Sequence, residues 1–331
     1  MKVEQLGEVG LIQRLARRLT VGAGVIHGVG DDCAVVEGPP TWYQLVTTDM
    51  LLDGVHFRLP PMDAAPRPAG QRLPPMDAAP RLSGLPVGRA APEAIGWKAL
   101  ACSVSDIAAM GGIPQYAVVS LGVPRGCAVE RLERIYRGMQ RMARHCGVSI
   151  VGGDTTRAPR LILAVTLVGR VERTRLLLRS GAREGDHLLV TGALGGAVRS
   201  GRHLTFTPRW QEVRAIGDRF PIHAMIDLSD GLASDLWHLA TASRVGAVVE
   251  AAAIPRARGA TLRSALTEGE DFELLFTVPA ARSPALLAWA AGALRCGVTR
   301  IGEIVPAKQG VTVRQPSGAR TPLLRGGYRH F

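Results

Sequence analysis

The sequence contains very little lysine. Of its 40 lysine and arginine residues, only Lys2, Lys98 and Lys308 are lysines. A phosphate-binding loop of the pattern G-x-x-x-x-G-K-[ST] requires a lysine directly after its second glycine, and none of the three occupies such a position. The H-R-D and D-F-G motifs of protein kinases are missing as well. The sequence therefore excludes P-loop nucleotide enzymes and enzymes of the protein-kinase type.

Cysteines and long apolar runs are also scarce. The five cysteines are odd in number, far apart and without C-x-x-C spacing, which argues against a disulfide framework or a zinc site and favours a reducing compartment. The longest nearly uninterrupted apolar run, residues 161–168, is too short to span a membrane, and the N-terminus has no apolar signal core. We therefore expect a cytoplasmic protein with no membrane partner.

Aromatic residues make up 5% of the chain, and the formal net charge is +12 at pH 7. The arginines are scattered, and no stretch combines basic and aromatic side chains, so we do not expect a nucleic-acid partner. A basic surface would instead attract an anionic substrate. An arginine-rich nucleic-acid-binding protein remains the alternative from a different class. It predicts binding that weakens steeply with salt and no ATP turnover.

Acidic residues recur where apolar segments end. The alternation of residues 43–47 predicts a strand that runs into Thr47, Thr48 and Asp49. Neighbouring hard oxygen ligands favour a hard cation such as Mg²⁺, although the same residues also suit a helix N-cap. The other aspartates in turns or on an apolar helix are Asp32, Asp106, Asp154, Asp227 and Asp230.

These six aspartates would repel one another if they converged, because several adjacent carboxylates cannot all ionise without cations. Several Mg²⁺ ions would resolve the repulsion, and such ions usually bridge to substrate phosphates. The sequence therefore predicts metal-assisted phosphoryl chemistry, in which metals hold the phosphates instead of a lysine.

The chain is long enough for two domains, and its apolar periodicity alternates between helices and strands. We predict helices at 8–19, 92–110 and 129–146, and strands at 116–123, 148–151 and 161–169. A charged stretch, residues 170–184, marks the expected domain boundary. A strand at 187–191 leads into a glycine turn that is a weak candidate for phosphate binding. The proline-rich residues 58–67 are repeated at 72–81, which predicts a mobile loop.

Eight short motifs resemble those of the thiamine-monophosphate kinase family, in the family's order and over nearly the whole chain. They are Gly-Asp-Asp-Cys-Ala (30–34), Thr-Thr-Asp-Met-Leu (47–51), Gly-Val-His-Phe (54–57), Ser-Asp-Ile-Ala-Ala-Met-Gly (105–111), Gly-Gly-Asp-Thr-Thr-Arg (152–157), Arg-Ser-Gly-Ala (179–182), Ile-Asp-Leu-Ser-Asp-Gly-Leu (226–232) and Gly-Glu-Asp-Phe-Glu-Leu (269–274).

The resemblance implies a two-domain α/β (α+β) fold like that of aminoimidazole ribonucleotide synthetase. Residues 1–171 would bind ATP and Mg²⁺ and would complete a β-barrel with a second copy in a homodimer. Residues 172–331 would form a C-terminal α/β domain, and residues 58–81 would be a mobile Pro-rich insertion. The implied reaction converts ATP and thiamine monophosphate into ADP and thiamine diphosphate.

The resemblance also implies the site residues. The metal ligands would be Asp32, Thr47, Thr48, Asp49, Asp106, Asp154, Asp227 and Asp230. The ATP contacts would be Tyr136, Gly153, Asp154, Arg179 and Ser229. The residues that face thiamine monophosphate would be His56, Glu270 and Tyr328.

Three departures from the family pattern stand out: Ser103 replaces the usual Asn, Glu268 replaces a glycine, and residues 58–81 are inserted near His56. We expect no catalytic side-chain base, because a phosphate acceptor with a second pKa of about 6 is already largely ionised. Direct in-line transfer is therefore expected. Another ATP-dependent synthetase of the same superfamily is the second alternative, against which His56 and Tyr328 argue.

Overall fold

The computed structural model describes residues 2–59 and 90–328. Of the predicted insertion at 58–81, residues 60–81 therefore lie outside the described residues. The described chain forms two sheets, the first within residues 25–172 and the second within residues 187–322, and helices pack on both. The α/β class predicted from the sequence is confirmed.

The first part of the chain contains three helices and six strands in its described residues. The helices are α1 (Val3–Ala16), α2 (Pro92–Ala109) and α3 (Val129–Cys146). The strands are β1 (Val25–His27), β2 (Ala34–Glu37), β3 (Trp42–Leu52), β4 (Ile113–Val123), β5 (Ser149–Arg157) and β6 (Ile162–Glu172). Their order in the sheet is β1-β2-β3-β6-β4-β5, with β4 and β5 parallel and the other neighbours antiparallel.

The two faces of this first sheet differ. Leu45, Val119 and Val165 on the inner face are at most 1% exposed and belong to the core that includes α2. Met50 and Val151 on the outer face are 56% and 62% exposed. In a sheet with one buried face, each strand points alternate side chains into the core and into solvent. The side chains on the solvent face are usually polar. This outer face is unusually apolar.

The central helix α2 begins at Pro92 and is followed by Gly111 at φ +73°, as the sequence predicts. Its backbone touches that of α3 at two glycines. A Cβ on Gly96 would lie 1.8 Å from the carbonyl oxygen of Ile135, and one on Gly138 would lie 1.8 Å from the carbonyl oxygen of Glu93. Only glycine permits this contact, which fixes the position of α2 beneath the first sheet.

The second part of the chain is built on a seven-stranded sheet. Its strands are β7 (His187–Thr191), β8 (Ala224–Asp227), β9 (Gly246–Glu250), β10 (Leu274–Val278), β11 (Val298–Val305), β12 (Val311–Arg314) and β13 (Arg320–Pro322). Its helices are α4 (Ala197–Ser200), α5 (Trp210–Gly217), α6 (Leu232–Ser243), α7 (Leu262–Thr267) and α8 (Ser283–Ala293). The strand order is β13-β12-β9-β11-β7-β10-β8, with β9 and β12 parallel and the other neighbours antiparallel.

Both faces of the second sheet are buried. Leu236 and Leu239 of α6 belong to the core on one face, and Ile216 of α5 and Leu286 of α8 belong to the core on the other. Every residue of β10 is buried, which explains why this strand reads as a continuous apolar run. In the part of the chain that the structure describes, no helix has the length and apolar character needed to cross a membrane.

Several predicted element boundaries differ from the structure. The helix predicted at 8–19 runs from Val3 to Ala16 with a kink at Gly7, so the part after the kink begins where predicted but ends three residues early. The strand predicted to end at the Thr-Thr-Asp segment continues as β3 to Leu52, and the strand predicted at 148–151 continues as β5 to Arg157. Pairing with β6 and β4 extends the ladders through these polar residues, which local sequence alone does not reveal. Several predicted site residues therefore lie within strands instead of at their ends.

Candidate active site

Three aspartates from distant parts of the chain meet beside α2. Asp32 follows β1, Asp106 lies in the last turn of α2, and Asp227 ends β8. One carboxylate oxygen of each lies within 4.8 Å of the others, and we call this group the aspartate triad. Ser105 Oγ donates to Asp227 Oδ2 at 2.6 Å, so α2 links the two sheets at the triad. The structure thus brings together three of the eight predicted metal ligands.

Strand β3 adds two more predicted ligands beside the triad. Thr47 Oγ1 donates to Asp106 Oδ2 at 2.5 Å, and Ser103 Oγ donates to Asp49 Oδ2 at 2.7 Å. Ser103 is one of the three departures from the family pattern, yet its hydroxyl holds the Asp49 carboxylate. Hydroxyl donors orient carboxylates but do not neutralise their charge.

The electrostatics of the triad favour a bound cation. Burial, followed by the charges of Asp49, Asp227 and Asp32, raises the pKa of Asp106 well above its ordinary value. Burial, followed by the charge of Asp32, raises the pKa of Asp227 to about 8. Burial and the neighbouring carboxylates thus disfavour the charged forms of these groups, and a bound cation would favour them.

Arg179 is bonded to the triad. Its Nη2 lies 2.5 Å from Asp32 Oδ1, and its backbone amide donates to Asp31 Oδ2 at 3.0 Å. Burial nevertheless raises the pKa of Asp32, and burial followed by the charge of Asp32 raises the pKa of Asp31 to about 7. Within the described residues, Asp32 Oδ2 is buried and has no hydrogen-bond partner. A donor set made of carboxylate and hydroxyl oxygens, with one oxygen unpaired, fits Mg²⁺.

Two predicted metal ligands lie elsewhere in the structure. Thr48 alternates with Thr47 and Asp49 along β3, so its side chain is exposed on the outer face, where Thr166 Oγ1 donates to its Oγ1 at 3.1 Å. Asp154 is exposed on the edge strand β5, opposite Ser120 of β4. The two-residue period of β3 places Thr48 on the outer face of the sheet. After a register shift in the pairing of β4 with β5, Asp154 lies on that face as well, beside the exposed Ser120, so neither residue is in the triad.

The turn after β8 carries the predicted residues Ser229 and Asp230. The Asp235 carboxylate, 2% exposed, accepts hydrogen bonds from the amides of Asp230 and Gly231 at 3.2 and 3.0 Å. The backbone amide of Glu270 donates to Ser229 O at 2.7 Å. The turn that follows Asp227 is therefore held by α6 and by the segment that contains Glu270.

The predicted substrate residues His56, Glu270 and Tyr328 are brought together. The rings of His56 and Tyr328 have centroids 6.5 Å apart, and the Tyr328 amide donates to Asp230 O at 3.0 Å. Lys98 Nζ lies 2.6 Å from Glu270 Oε2 and donates to His56 O at 3.5 Å. Residues separated by most of the chain therefore surround one place beside the triad.

The predicted ATP contacts are more widely distributed. Arg179 is bonded to Asp32 of the triad, and Ser229 follows Asp227 of the triad by two positions. Tyr136, in contrast, is half-buried on α3 and packs against the core of the first sheet. Gly153 lies in β5, where a Cβ would come 1.8 Å from the carbonyl oxygen of Val119. The structure therefore brings two of these residues to the triad and places the others on α3 and β5.

The glycine turn at 192–196 does not offer its last two amides to a ligand. The amide of Gly195 donates to both Asp271 carboxylate oxygens at 3.0 and 2.8 Å, and the amide of Gly196 donates to Glu268 Oε2 at 2.7 Å. The weak prediction of phosphate binding at this turn is therefore not supported. Glu268, the second departure from the family pattern, takes part in this internal contact.

Sequence reasoning missed Lys98, Asp31 and Asp235 as members of the site. In the sequence, Lys98 is a single charged residue within an apolar helix. Such a residue indicates that a buried partner of opposite charge exists, but it does not identify that partner. Asp31 is adjacent to Asp32 in the same motif, and only Asp32 was assigned a role there. Asp235 lies one helical turn after the Ser-Asp-Gly segment, at a position where an acid commonly stabilises the start of a helix.

Comparison with known proteins places this arrangement in a family. Residues 30–73 and 75–171 match the N-terminal domain model of AIR synthase related proteins, and residues 176–314 match the C-terminal domain model. The chain is thus an AIR synthase related protein with both characteristic domains, as the two-domain prediction expected.

Individual relatives narrow the assignment. The thiamine-monophosphate kinase of Rhodopirellula baltica is 35% identical, with 85% of this chain and 84% of that protein covered. The thiamine-monophosphate kinase of Bacillus subtilis is 30% identical, with 98% and 100% covered. A solved structure described as AaThiL complexed with AMPPCP and TMP has a TM-score of 0.78 and 31% identity, with 100% and 99% covered. The chain belongs to the thiamine-monophosphate kinase family.

Proposed function

We propose that the chain is an ATP-dependent kinase that transfers the γ-phosphoryl group of ATP to thiamine monophosphate, giving thiamine diphosphate and ADP. The observation that carries the proposal is the aspartate triad, whose buried carboxyl groups have raised pKa values and lie beside His56, Glu270 and Tyr328. The relatives named thiamine-monophosphate kinase, and the neighbour complexed with the ATP analogue AMPPCP and with TMP, support the same reaction.

The residues present fit Mg²⁺, which we propose as the cofactor in several copies. The aspartate triad would hold it, with Thr47 and Asp49 adjacent. Bound Mg²⁺ would neutralise charge on the ATP phosphates and on the transferred group. Thr48, Asp154 and Asp230 remain proposed ligands for further ions.

The chain's own residues would orient the reactants. The acceptor phosphate has a second pKa of about 6 and needs no side-chain base. Arg179, held by Asp31 and Asp32, directs a guanidinium group to the triad, where it would bind a phosphate oxygen of ATP. Direct in-line transfer then requires the two phosphates to be held at close distance, without a phosphorylated enzyme intermediate. The other proposed ATP contacts are Tyr136, Gly153, Asp154 and Ser229.

The thiamine end of the substrate would lie against His56, Glu270 and Tyr328. The thiazolium ring of thiamine is positively charged, so an aromatic face and a carboxylate would both attract it. The ring centroids of His56 and Tyr328 are 6.5 Å apart, so the C-terminal segment runs beside His56. This contact supports a role for Tyr328 in substrate binding.

We further propose that a second copy covers the outer face of the first sheet and completes a β-barrel. Met50, Tyr116, Val118 and Val151 form an exposed apolar group on that face, and monomers rarely leave such a group uncovered. Residues 1–171 would then be the ATP-binding and dimerisation domain, and residues 172–331 the second domain, of a cytoplasmic enzyme. Sedimentation equilibrium should give twice the chain mass of 35.2 kDa, and a Val151→Glu variant should sediment as a monomer.

Coupled measurement of ADP release tests the proposed reaction. With ATP, Mg²⁺ and thiamine monophosphate, ADP and thiamine diphosphate should form in equal amounts, and EDTA should stop both. Turnover with another acceptor, but not with thiamine monophosphate, would favour a sister synthetase. Salt-sensitive nucleic-acid binding without ATP turnover would favour the alternative from the other class.

A further inference from the structure

Lys98 is a buried lysine in a chain that has very few lysines. It lies in the middle of α2, and its side chain is 1% exposed. Nζ lies 2.7 Å from Glu270 Oε1 and 2.6 Å from Glu270 Oε2, and it donates to His56 O at 3.5 Å. Lysine is almost never fully buried unless it is paired, so these three acceptors account for its position.

The two members of this ion pair differ in access. The side chain of Glu270 is 19% exposed, whereas that of Lys98 is enclosed. A ligand that enters the site can therefore touch the carboxylate of Glu270 but not the ammonium group behind it. The hydrogen bonds of Lys98 give it two routes of influence on a ligand, one through Glu270 and one through the backbone of His56.

The backbone around Glu270 is unusual. Glu270 adopts φ +61°, a left-handed conformation that is uncommon for a residue with a Cβ. A Cβ on the preceding Gly269 would lie 2.7 Å from the carbonyl oxygen of Ser229, so the turn is closely packed against the segment after β8. Such conformations persist where the surroundings hold them, and the Lys98 ion pair is one of the contacts that does so here.

A nearby histidine does not supply a second positive charge. Burial, followed by the charge of Lys98, lowers the pKa of His203 to about 4, so this imidazole is neutral near pH 7. His203 is 2% exposed, and its Nδ1 is bonded to Ala197 O at 3.1 Å. Lys98 is therefore the cation that balances Glu270 in this part of the described structure.

We propose that Lys98 is a positioning residue of the thiamine end of the site, which holds the Glu270 carboxylate and the His56 backbone in the arrangement that binds the substrate. The proposal rests on the proposed function. It extends the site to a residue that does not touch the substrate. Lys98→Met should raise the KM for thiamine monophosphate about tenfold and change the KM for ATP less than twofold, since binding lost equally from ground and transition states appears in KM.

A double-mutant cycle with Glu270→Gln tests whether Lys98 acts through Glu270. If Lys98 acts through Glu270, Lys98→Met should change the KM for thiamine monophosphate less than twofold when Glu270→Gln is already present. Independent effects that multiply would overturn the proposal, because the contact between Lys98 and Glu270 would then contribute nothing to substrate binding. The double variant carries no buried unpaired charge, so it tests the proposal even if Lys98→Met alone does not fold.

The matched control is the ion pair between Glu93 and Arg134, at the first turn of the same helix. Arg134 Nε and Nη2 lie 2.7 and 3.0 Å from the two Glu93 oxygens, so this pair also has two contacts. Arg134→Met should leave both KM values within twofold of the parent. An equal rise in this variant would show that the Lys98 effect reflects general loosening of α2, and it would overturn the positioning role.

Calorimetric binding of thiamine monophosphate to the full chain distinguishes failure of this inference from failure of the proposed function. A parent protein that binds and phosphorylates thiamine monophosphate, together with a Lys98→Met variant of unchanged affinity, would overturn the inference alone. A parent that binds the compound without forming thiamine diphosphate would overturn the proposed reaction. In that case an approximately tenfold weaker affinity of Lys98→Met would still support the positioning role.

Discussion

Two acidic clusters within residues 2–59 and 90–328 differ in how their charge is balanced. The aspartate triad is one of them. The other consists of Asp271 and Glu273, which are 1% and 2% exposed, and we call it the paired cluster. Arg202 Nη2 lies 2.6 Å from Asp271 Oδ1, and Arg209 Nη2 lies 2.7 Å from Glu273 Oε1. The paired cluster therefore has one guanidinium group for each carboxylate.

The aspartate triad is less well balanced. Among the described residues, Arg179 is the arginine bonded to it, and Asp32 Oδ2 lacks a hydrogen-bond partner. Asp32 and Asp227 of the triad are 8% and 3% exposed, close to the values in the paired cluster, so burial alone does not distinguish a structural ion pair from a ligand site. The difference lies in charge balance and in unfilled acceptors, which are what a bound cation would correct.

Removal of one carboxylate from each cluster gives the strongest test of this comparison. Asp106→Asn should lower kcat about a thousandfold, because loss of metal-assisted charge stabilisation costs several kcal/mol. The metal-free variant should unfold at the same temperature as the parent or higher, because an amide avoids the cost of burying a carboxylate beside other carboxylates. Steady-state kinetics and thermal unfolding in EDTA check the two expectations. A variant with near-parent kcat would show that the triad does not hold the catalytic metal.

An Asp-to-Asn substitution in the paired cluster should lower stability and leave the Mg²⁺ dependence of activity unchanged. Asp271→Asn leaves Arg202 less well paired and weakens the contact with Gly195, so the free energy of unfolding should fall by about 1–3 kcal/mol. The dependence of activity on Mg²⁺ concentration should not change. Denaturant unfolding and Mg²⁺ titration provide the measurements. If Asp271→Asn shifts the Mg²⁺ requirement, the distinction between the clusters is wrong.

The pH dependence of metal-free stability should sharpen the comparison further. The pKa values of Asp31 and Asp227 are raised to about 7 and about 8, mainly by burial, and burial also raises the pKa of Asp271 in the paired cluster to about 7. The folded chain therefore binds more protons than the unfolded chain up to that range. The free energy of unfolding should therefore decrease as pH rises from 6.5 to 8. His203 and His238, whose pKa values are lowered to about 4, oppose this change progressively less above pH 6.5, where their imidazoles lose the proton in the unfolded chain as well.

Thermal unfolding in EDTA should show this decrease as a fall in Tm of a few degrees between pH 6.5 and 8. Added Mg²⁺ should reduce the fall, because bound metal favours the ionised carboxylates of the triad. In the Asp106→Asn variant, added Mg²⁺ should no longer reduce the fall in Tm, whereas in the Asp271→Asn variant it should still do so. A Tm in EDTA that rises over this pH range contradicts the raised pKa values.

The smallest effect is expected outside both clusters. Tyr328→Ala should raise the KM for thiamine monophosphate about two- to tenfold, since a cation over an aromatic ring contributes about 0.5–1 kcal/mol or somewhat more. The KM for ATP and the Mg²⁺ requirement should stay unchanged, which would separate the thiamine end from the triad. Equal constants for both substrates in parent and variant would mean that Tyr328 does not contact the thiamine moiety.

Much of the fold was predictable because its signals are local. The proline at the start of α2, the glycine after it and the apolar stripe of α3 each determine structure within a few residues. The ends of β3 and β5 were not predictable in this way, because neighbouring strands extend them through polar residues. The faces of Thr48 and Asp154 depend on those ladders, so the sequence motif alone did not reveal them.

The site was predictable only in part for a related reason. Asp32, Asp106 and Asp227 were identified as candidates from their turns and from family motifs, but their convergence depends on how the two sheets adjoin α2. The partner of Lys98 lies 172 positions away along the chain. Similarly, the segment 269–274 contains Glu270 in the site and Asp271 in the paired cluster. Adjacent acids can thus serve different purposes, and no local pattern distinguishes them.

The burial of Lys98 makes selective amine chemistry possible on this protein. Lys2 and Lys308 are exposed, whereas Lys98 is enclosed by its ion pair with Glu270. An amine-reactive acylating reagent should therefore modify the two exposed lysines of the folded chain rapidly and should reach Lys98 only in molecules that have opened locally. Mass spectrometry of the acylated Lys98 peptide would then record the opening of the substrate site directly. Attachment through Lys2 or Lys308 would immobilise the enzyme without altering that site.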